Sequence, residues 1–173
     1  MEPVSILLSQ GKAALADLAD VPLVAGFTWC AHRKGNGLWY AVAYVPGSFS
    51  RPLGRSPRYI AMHTLITGWP RVDHRDRNGL NNTRLNLREA ADGQNQANTA
   101  KRKRANASSR FKGVSFTPRT GRWAAGLTCA GRHVHLGYFD DERDAARAYD
   151  DAAPRHFGEF ALTNSDLGLY EGV

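Results

Sequence analysis

Residues 72–88 read VDHRDRNGLNNTRLNLR, and QNQAN follows at residues 94–98. An Asp-His pair opens the segment, Asn-Gly and Asn-Asn pairs that favour turns come next, and Asn-Leu-Arg closes it. Each pair alone is an ordinary structural feature. All of them in this order favour a catalytic site.

This segment resembles the ββα-metal motif of HNH endonucleases, in the phage- and intron-type variant whose final histidine is replaced by asparagine. The resemblance places His74, Asn86 and Asn95 at the three motif positions and Asp73 where the family often has a metal ligand. It implies a homing-type DNA endonuclease with His74 and Asn86 in the catalytic set, Asn86 bracing the loop after the first strand. Asn98, one helical turn beyond Asn95, is the second choice of ligand.

The residue types suit phosphodiester hydrolysis, which requires an activated water and a positive charge at the phosphate. The neutral imidazole of His74 can accept the proton of that water near pH 7. The Asp73 carboxylate and the Asn95 amide are oxygen ligands of the kind that Mg²⁺ or Mn²⁺ prefers. Asp73 and His74 are neighbours on a strand and would ordinarily face opposite sides, so sharing a site requires a local twist.

The net charge of +7 indicates a polyanionic partner. The excess is densest in residues 71–107, which carry nine Lys and Arg against four Asp and Glu. Double-stranded DNA is the predicted partner, bound by a monomer.

Two further features concern the environment of the chain. The longest apolar stretches, residues 4–8 and 38–45, are far shorter than the roughly 20 residues of a membrane helix, and no secretory signal precedes them. Cys30 and Cys129 lie far apart, as expected of reduced thiols. We therefore expect an intracellular protein, in a bacterial cytoplasm and encoded by a phage or mobile element.

The region before the motif is predicted to be rich in β-strands. Short strands are expected at residues 6–8 and 13–15, and a short helix at residues 23–27, after Pro22. Two apolar runs, at residues 27–31 and 38–45, are joined by KGNG and predict a hairpin. Residues 59–66 predict a helix containing His63, which in an apolar segment is more often a core residue than a catalytic one.

Residues 101–109, KRKRANASS, have the composition of a linker. The basic run could follow a phosphate backbone or serve only as a solvated hinge. The predicted domains are therefore a nuclease module at residues 1–100, with a β-rich part at 1–55 and the motif at 56–100, and a second domain at 110–173. The candidate phosphate contacts in the linker are Lys101, Arg102, Lys103 and Arg104.

Three strand-like runs, at residues 111–116, 122–128 and 133–139, are separated by turn residues. An alanine-rich helix is predicted from about Asp141, with acidic residues in its first turn and Pro154 near its end. Small side chains let such a helix lie close to a three-stranded sheet.

The motifs SSRFKGVSF, GRWAAGL, LGYFD, AARAYD and FGEFA recur in order through residues 108–161. They resemble the Apetala/ethylene-response-factor DNA-binding domain of plant transcription factors. The resemblance implies that the sheet lies in the DNA major groove. The implied DNA-binding residues are Lys112, Arg119, Arg122, Trp123 and Arg132. Of these, Trp123 is as well suited to packing as to binding DNA.

The predicted fold class is α+β, an N-terminal ββα-metal HNH module followed by a three-stranded antiparallel sheet packed on one helix. The predicted function is metal-dependent DNA cleavage, with sequence-biased binding by the second domain. Two alternatives stay open at this point: a non-catalytic DNA-binding regulator descended from such a nuclease, and an RNA-binding protein.

Overall fold

The computed structural model describes residues 2–35, 37–45, 59–91, 93–101 and 106–171. The chain divides into two compact units, residues 1–90 and 91–173. Both combine helices with antiparallel strands, so the α+β class is confirmed. Within the described ranges, no helix is long and apolar enough to cross a membrane.

The first unit contains three small antiparallel sheets, in the orders β1-β2, β3-β4-β5 and β6-β7. Its described elements are β1 (Pro3–Leu7), β2 (Ala13–Asp17), α1 (Val21–Val24), β3 (Trp29–Arg33), β4 (Trp39–Tyr44), β5 (Tyr59–Ala61), α2 (Met62–Thr67), β6 (Val72–His74) and β7 (Leu87–Glu89).

Alternating residues of these strands face one core. Ala14 and Ala16 of β2 are fully buried, and Ala41 and Ala43 of β4 are 1% exposed. Successive strand residues point to opposite faces, so small residues at every second position let the sheets pack closely around Met62 of α2.

The hairpin predicted from residues 27–31 and 38–45 is confirmed as β3 and β4. Arg33 lies opposite Trp39 where the strands meet the turn. The Lys34 amide donates to the Leu38 carbonyl at 2.9 Å, and the Gly37 amide donates to the Lys34 carbonyl at 2.8 Å. Gly37 has a φ of +86°, a conformation that glycine adopts without steric cost.

Two helix predictions in this unit were wrong in their bounds. The helix predicted at residues 23–27 occupies Val21–Val24, with Pro22 in its first turn. The helix predicted at residues 59–66 begins only at Met62, because Tyr59–Ala61 pairs with β4 as strand β5. The Tyr44 and Tyr59 rings meet across that pair at 5.9 Å, a contact between residues distant in sequence that local periodicity does not reveal.

The second unit is a three-stranded antiparallel sheet covered by one long helix, as predicted. The sheet order is β10-β9-β8, and buried alanines of the long helix pack on it. Asp141 caps that helix, since its Oδ1 accepts hydrogen bonds from the amides of Arg143 and Asp144 at 2.7 and 3.1 Å. The described elements are α3 (Gln94–Ala97), β8 (Val114–Thr117), β9 (Arg122–Cys129), β10 (Arg132–Phe139) and α4 (Glu142–Phe157).

The division between the units falls before the linker predicted at residues 101–109. Two lysines explain why α3 belongs to the second unit. Lys112 Nζ donates to the Ala97 carbonyl, and Lys101 Nζ donates to the carbonyls of Phe111 and Val114 at 3.0 and 2.7 Å. The other basic residues of the run, Arg102, Lys103 and Arg104, lie outside the described residues.

Candidate active site around His74

Strands β6 and β7 frame the predicted site of the first unit, with Asp73 and His74 in β6 and Asn86 directly before β7. They pair antiparallel, with Asp73 opposite Arg88 and His74 opposite Leu87. The connection between them is not a tight two-residue turn but a twelve-residue loop, residues 75–86, called here the motif loop. Its ends are tied by the Arg75 amide, which donates to the Asn86 carbonyl at 2.9 Å.

Asn86 holds the motif loop from inside. Its Oδ1 accepts the Asp76 amide at 3.0 Å, and its Nδ2 donates to Asp76 Oδ1 at 2.9 Å and to the Asn81 carbonyl at 2.7 Å. One amide side chain therefore satisfies three polar groups of the loop. This is the geometry that a bracing residue requires.

Asp76 is a second residue that accepts several hydrogen bonds within the motif loop, a role that the sequence does not predict. Its Oδ1 accepts the Asn78 amide at 2.8 Å, and its Oδ2 accepts Asn81 Nδ2 at 2.8 Å. These bonds use both carboxylate oxygens within the loop. Asp76 also lies near enough to His74 to favour the protonated imidazole, raising its pKa.

The motif loop passes close to β4 at Gly79. A Cβ added there would lie 2.5 Å from the Trp39 carbonyl oxygen and 2.6 Å from the Tyr40 ring. These distances are too short for any side chain, so the glycine of the Asn-Gly pair is required by close approach.

The far side of the loop is attached to the β2 region. The Leu15 amide donates to the Leu80 carbonyl, and the Asn82 amide donates to the Leu15 carbonyl, both at 2.8 Å. Arg84 pairs with Asp20 through its Nη2, 2.7 Å from Oδ1. The loop that follows His74 is thus held by β2, β4 and its own amides.

His74 is 4% exposed and is surrounded by two other rings. Its ring centroid lies 5.0 Å from that of His63 and 5.8 Å from that of Tyr40, both in edge-to-face orientation. His63, which lies in an apolar segment of the sequence and was expected to be a core residue, is therefore in ring contact with His74, the predicted base. The buried Nδ1 of His63 has no hydrogen-bond partner among the described residues.

Asn82 is the hydrogen-bond partner of the His74 ring. Its Nδ2 donates to the Leu80 carbonyl at 3.2 Å, and its Oδ1 faces His74 Nε2 at 3.4 Å. An amide oxygen only accepts, so this contact is a hydrogen bond in the tautomer that carries the hydrogen on Nε2. Asn82, which the sequence predicts only as a turn residue, is fully buried.

Burial lowers the pKa of His74 from its ordinary value, because the charged imidazolium loses its hydration. The Asn82 hydrogen bond and the carboxylates of Asp76 and Asp73 oppose that shift, and the Lys34 ammonium adds to it. Burial, helped by His74 and Lys34, lowers the pKa of His63 to about 3. Both rings are therefore neutral at pH 7.

Asp73, the predicted metal ligand, forms a buried ion pair. Arg88 donates to Asp73 Oδ2 through Nε at 2.8 Å and through Nη2 at 2.6 Å, and both side chains are at least nine-tenths buried. Arg88 ends the Asn-Leu-Arg of the motif, and the sequence alone indicates no role for it. The signal was the opposite charges of two residues that a β6-β7 hairpin places directly across from each other.

The other predicted metal ligands lie in the second unit. Asn95, in α3, is exposed, and its backbone carbonyl accepts Thr99 Oγ1 at 2.7 Å. Asn98 is buried at the end of the same helix. No group of three or more His, Cys, Asp or Glu side chains suited to a metal ion occurs in the described part of the chain. Metal binding by Asp73 and Asn95 stays a prediction.

The predicted DNA-binding residues of the second unit separate into two groups. Arg119, Arg122 and Arg132 are exposed, and Arg122 pairs with Asp140 at 2.8 Å. Lys112 and Lys101 bind backbone carbonyls inside the unit, where burial lowers the pKa of Lys101. These lysines have a structural role that the sequence did not indicate.

Trp123 also belongs partly to the interior. It is half-buried, packs against the core cluster of Phe111 and Val114, and meets the Phe116 ring at 5.1 Å. Its neighbour Arg122 points to the other face of β9, which α4 does not cover.

The chain is similar to known proteins over most of its length and, separately, over a shorter stretch. A protein of Acanthamoeba polyphaga mimivirus, named as an uncharacterized HNH endonuclease, is 32% identical over 165 residues, which are 91% of this chain and 79% of that protein. This chain belongs to the HNH endonuclease family. No family model matches it, and no solved structure matches it.

The HNH chain is also similar to plant transcription factors over a shorter stretch. An AP2-like ethylene-responsive transcription factor of Arabidopsis thaliana is 47% identical over 64 residues, and an AP2/ERF and B3 domain-containing protein of Oryza sativa subsp. japonica is 52% identical over 60 residues. The chain spans only 13% and 16% of those proteins. The resemblance of the C-terminal third to the Apetala/ethylene-response-factor domain is therefore shown.

Proposed function

We propose that this HNH-family chain is a DNA endonuclease that hydrolyses phosphodiester bonds, with a second unit that binds the target duplex. Family membership and the name of the mimivirus relative support nuclease activity. The observation that carries the proposal is the position of His74, a buried and neutral imidazole that faces Asn82 Oδ1 within the loop that Asn86 holds.

His74 acts as the general base in this proposal. Nδ1 accepts the proton of the attacking water, and the Nε2 hydrogen stays directed at Asn82 Oδ1 throughout. The Asp76 and Asp73 carboxylates stabilise the imidazolium that forms, since both raise its pKa. Asn86 keeps the motif loop, and with it His74, in place.

A divalent cation, Mg²⁺ or Mn²⁺, is part of the proposal. The predicted ligands are of the types that a hard cation prefers, because Asp73 carries carboxylate oxygens and Asn95, or Asn98 as second choice, carries an amide oxygen. Asp73 Oδ2 accepts two hydrogen bonds from Arg88, so a cation at Asp73 would compete with this ion pair. When bound, the cation would offset the charge that develops on the phosphate.

DNA binding by the second unit is supported by the plant relatives, which are named as transcription factors. Arg122 is exposed on the sheet face opposite α4, Arg119 is exposed in the turn between β8 and β9, and Arg132 is exposed at the start of β10, opposite Cys129. We propose that the unit gives the nuclease its sequence bias, and that the protein is a homing-type enzyme of a phage or mobile element.

The first experiment is a plasmid assay with purified full-length protein and Mg²⁺ or Mn²⁺. We expect supercoiled plasmid to become nicked or linear, and we expect His74→Ala to leave it intact. Binding of the same plasmid by both proteins in a gel shift controls for folding.

A DNA-binding regulator without catalysis is the second candidate. The buried ion pair of Asp73 with Arg88 favours it, because a carboxylate neutralised by a guanidinium attracts a metal ion less strongly. Binding without cleavage across several divalent metals would establish the regulator. Tighter binding to single-stranded RNA than to duplex DNA would replace both candidates.

A further inference from the structure

The end of the β3-β4 hairpin carries three cations that no proposed step uses. Lys34 Nζ lies 4.3 Å from the Tyr40 ring centroid, Lys12 Nζ lies 4.4 Å from that of Trp39, and the Arg33 guanidinium lies 6.0 Å from the same Trp39 ring. Among the described residues, Lys12, Arg33 and Lys34 form no ion pair. We call this group the hairpin cations.

The hairpin cations differ in this respect from several arginines of the same protein. Arg84, Arg88 and Arg122 each face a carboxylate within 2.8 Å, so their charge is largely neutralised. An aromatic ring attracts a cation by its quadrupole but does not cancel its charge. The rings therefore hold these side chains in place while their full charge remains available to an external anion.

Their position relates them to the proposed base. Tyr40, beneath Lys34, is in edge-to-face contact with His74 at 5.8 Å, and the motif loop touches it at Gly79. Lys34 is near enough to lower the pKa of both His63 and His74. A polyanion that brings one phosphate to His74 would bring an adjacent phosphate within reach of Lys34.

The two rings face opposite sides of the hairpin, because Trp39 and Tyr40 are consecutive residues of β4. Lys34 thus lies on the His74 side, and Lys12 and Arg33 lie on the other. A two-stranded ribbon with cations on both faces can enter a DNA groove between two phosphate backbones.

We infer that the end of the β3-β4 hairpin is a binding site for DNA phosphates, with Lys34 contacting the strand that is cleaved and Lys12 and Arg33 contacting a different phosphate. The inference rests on the proposed function, in that it takes duplex DNA as the substrate. It adds a contact in the first unit to those predicted for the linker and the sheet.

The test measures binding of the full chain to a fluorescently labelled duplex by anisotropy, in chelator, over a series of salt concentrations. Each phosphate contact contributes about 0.9 to the slope of log affinity against log salt. We expect Lys34→Gln to reduce the slope by about 0.9 and the double variant Lys12→Gln with Arg33→Gln to reduce it by about 1.8. Arg147→Gln, which removes an exposed cation of α4 paired with Asp144, is the matched control and should leave the slope unchanged.

Cleavage assays test Lys34, the hairpin cation on the His74 side. With metal present, we expect Lys34→Gln to raise the DNA concentration for half-maximal cleavage about 10-fold, and Lys34→Arg to restore most of it because the charge is kept. Melting temperatures of all variants identify any that fail to fold, and if Lys34→Gln is one of them, the double variant Lys12→Gln with Arg33→Gln carries the comparison against Arg147→Gln.

The outcomes distinguish this site from the nuclease proposal. Wild-type protein that cleaves DNA, together with hairpin variants that bind and cleave like Arg147→Gln, overturns the phosphate site alone. If wild-type protein never cleaves DNA, but the hairpin variants bind it with a smaller salt dependence, the phosphate site is supported and the nuclease proposal is overturned.

Discussion

The motif loop of the first unit and the sheet-helix packing of the second are stabilised by different forces. In the loop, the side chains of Asp76, Asn81, Asn82 and Asn86 satisfy one another and the backbone through directed hydrogen bonds. In the second unit, Ala145, Ala146 and Ala153 of α4 are fully buried against the sheet.

This difference predicts that the motif loop tolerates amino-acid substitutions less well than the core of the second unit. A directed network loses a partner with each substitution, and a buried polar group left unsatisfied costs about 1–3 kcal/mol. An apolar surface accepts substitutions of similar volume at lower cost. We therefore expect chemistry to depend on the loop residue by residue, whereas the second unit should act as a robust binding scaffold.

The largest expected effect is on cleavage. His74→Ala removes the proton acceptor and should reduce the cleavage rate about 10²–10⁴-fold, because that is the usual contribution of a general base. Affinity for duplex DNA should stay within a factor of two of wild type, roughly the error of the assay. Single-turnover cleavage measures the rate, and anisotropy measures the affinity. Equal losses of rate and affinity would mean that catalysis and DNA binding are not separated between the two units.

The next effect concerns the buried ion pair. Arg88→Ala leaves the Asp73 carboxylate buried without its partner and should destabilise the first unit by about 3–5 kcal/mol. Arg122→Ala, which breaks the exposed pair with Asp140, should cost at most about 1 kcal/mol. Urea unfolding of both variants makes the comparison, and similar costs would show that the Asp73 pair is hydrated.

Two glycines test close approach against backbone conformation. Gly79→Ala forces a Cβ against the Trp39 carbonyl and should cost about 3 kcal/mol. Gly121→Ala, in the second unit, has φ of +65° and open space around it, so it should cost only about 1 kcal/mol of backbone strain. Thermal unfolding of both variants ranks the costs, and the reverse order would contradict the packing of the motif loop on β4.

Acid should destabilise the first unit through His63. Its pKa is about 3 in the folded protein against an ordinary 6.5, so below pH 6.5 the unfolded chain binds a proton that the folded one does not. Stability is therefore lost as pH falls from 6.5 toward 3, by about 2 kcal/mol at pH 5. His63→Phe should lose about 2 kcal/mol less stability between pH 7 and pH 5 than wild type in urea unfolding, with the contribution of His74 remaining. The same pH dependence in both proteins would mean that His63 is hydrated.

The smallest effect is expected at the sheet of the second unit. Arg122→Ala should weaken duplex binding by about 1 kcal/mol, because Asp140 already shares its guanidinium, and should leave cleavage at saturating protein unchanged. Ser115→Ala, on the exposed face of β8, is a neutral control in the same sheet. A loss of cleavage at saturation would assign Arg122 to the chemistry.

Local patterns in the sequence predicted much of this fold. The β3-β4 hairpin follows from its turn residues, and α4 follows from its acidic first turn and alanine spacing, since these signals lie within a few residues of one another. Strand β5 was missed because its stability comes from pairing with β4, which lies beyond a long connection.

The candidate site divides in the same way. The order of Asp73, His74, Asn86 and Asn95 along the chain indicated the chemistry. The partners of these residues did not appear in that order, because Arg88, Tyr40 and His63 reach the site from another strand, another sheet and a helix.

By itself, the sequence determined the residue types, the local turns and helix signals, and the two family resemblances, since each is encoded in short-range order. Only the tertiary structure decided that Asn82 contacts His74, that Arg88 pairs with Asp73, and that Lys12, Arg33 and Lys34 lie over aromatic rings. The physical reason is that charge, burial and hydrogen bonding act through space, between residues that the chain brings together only on folding.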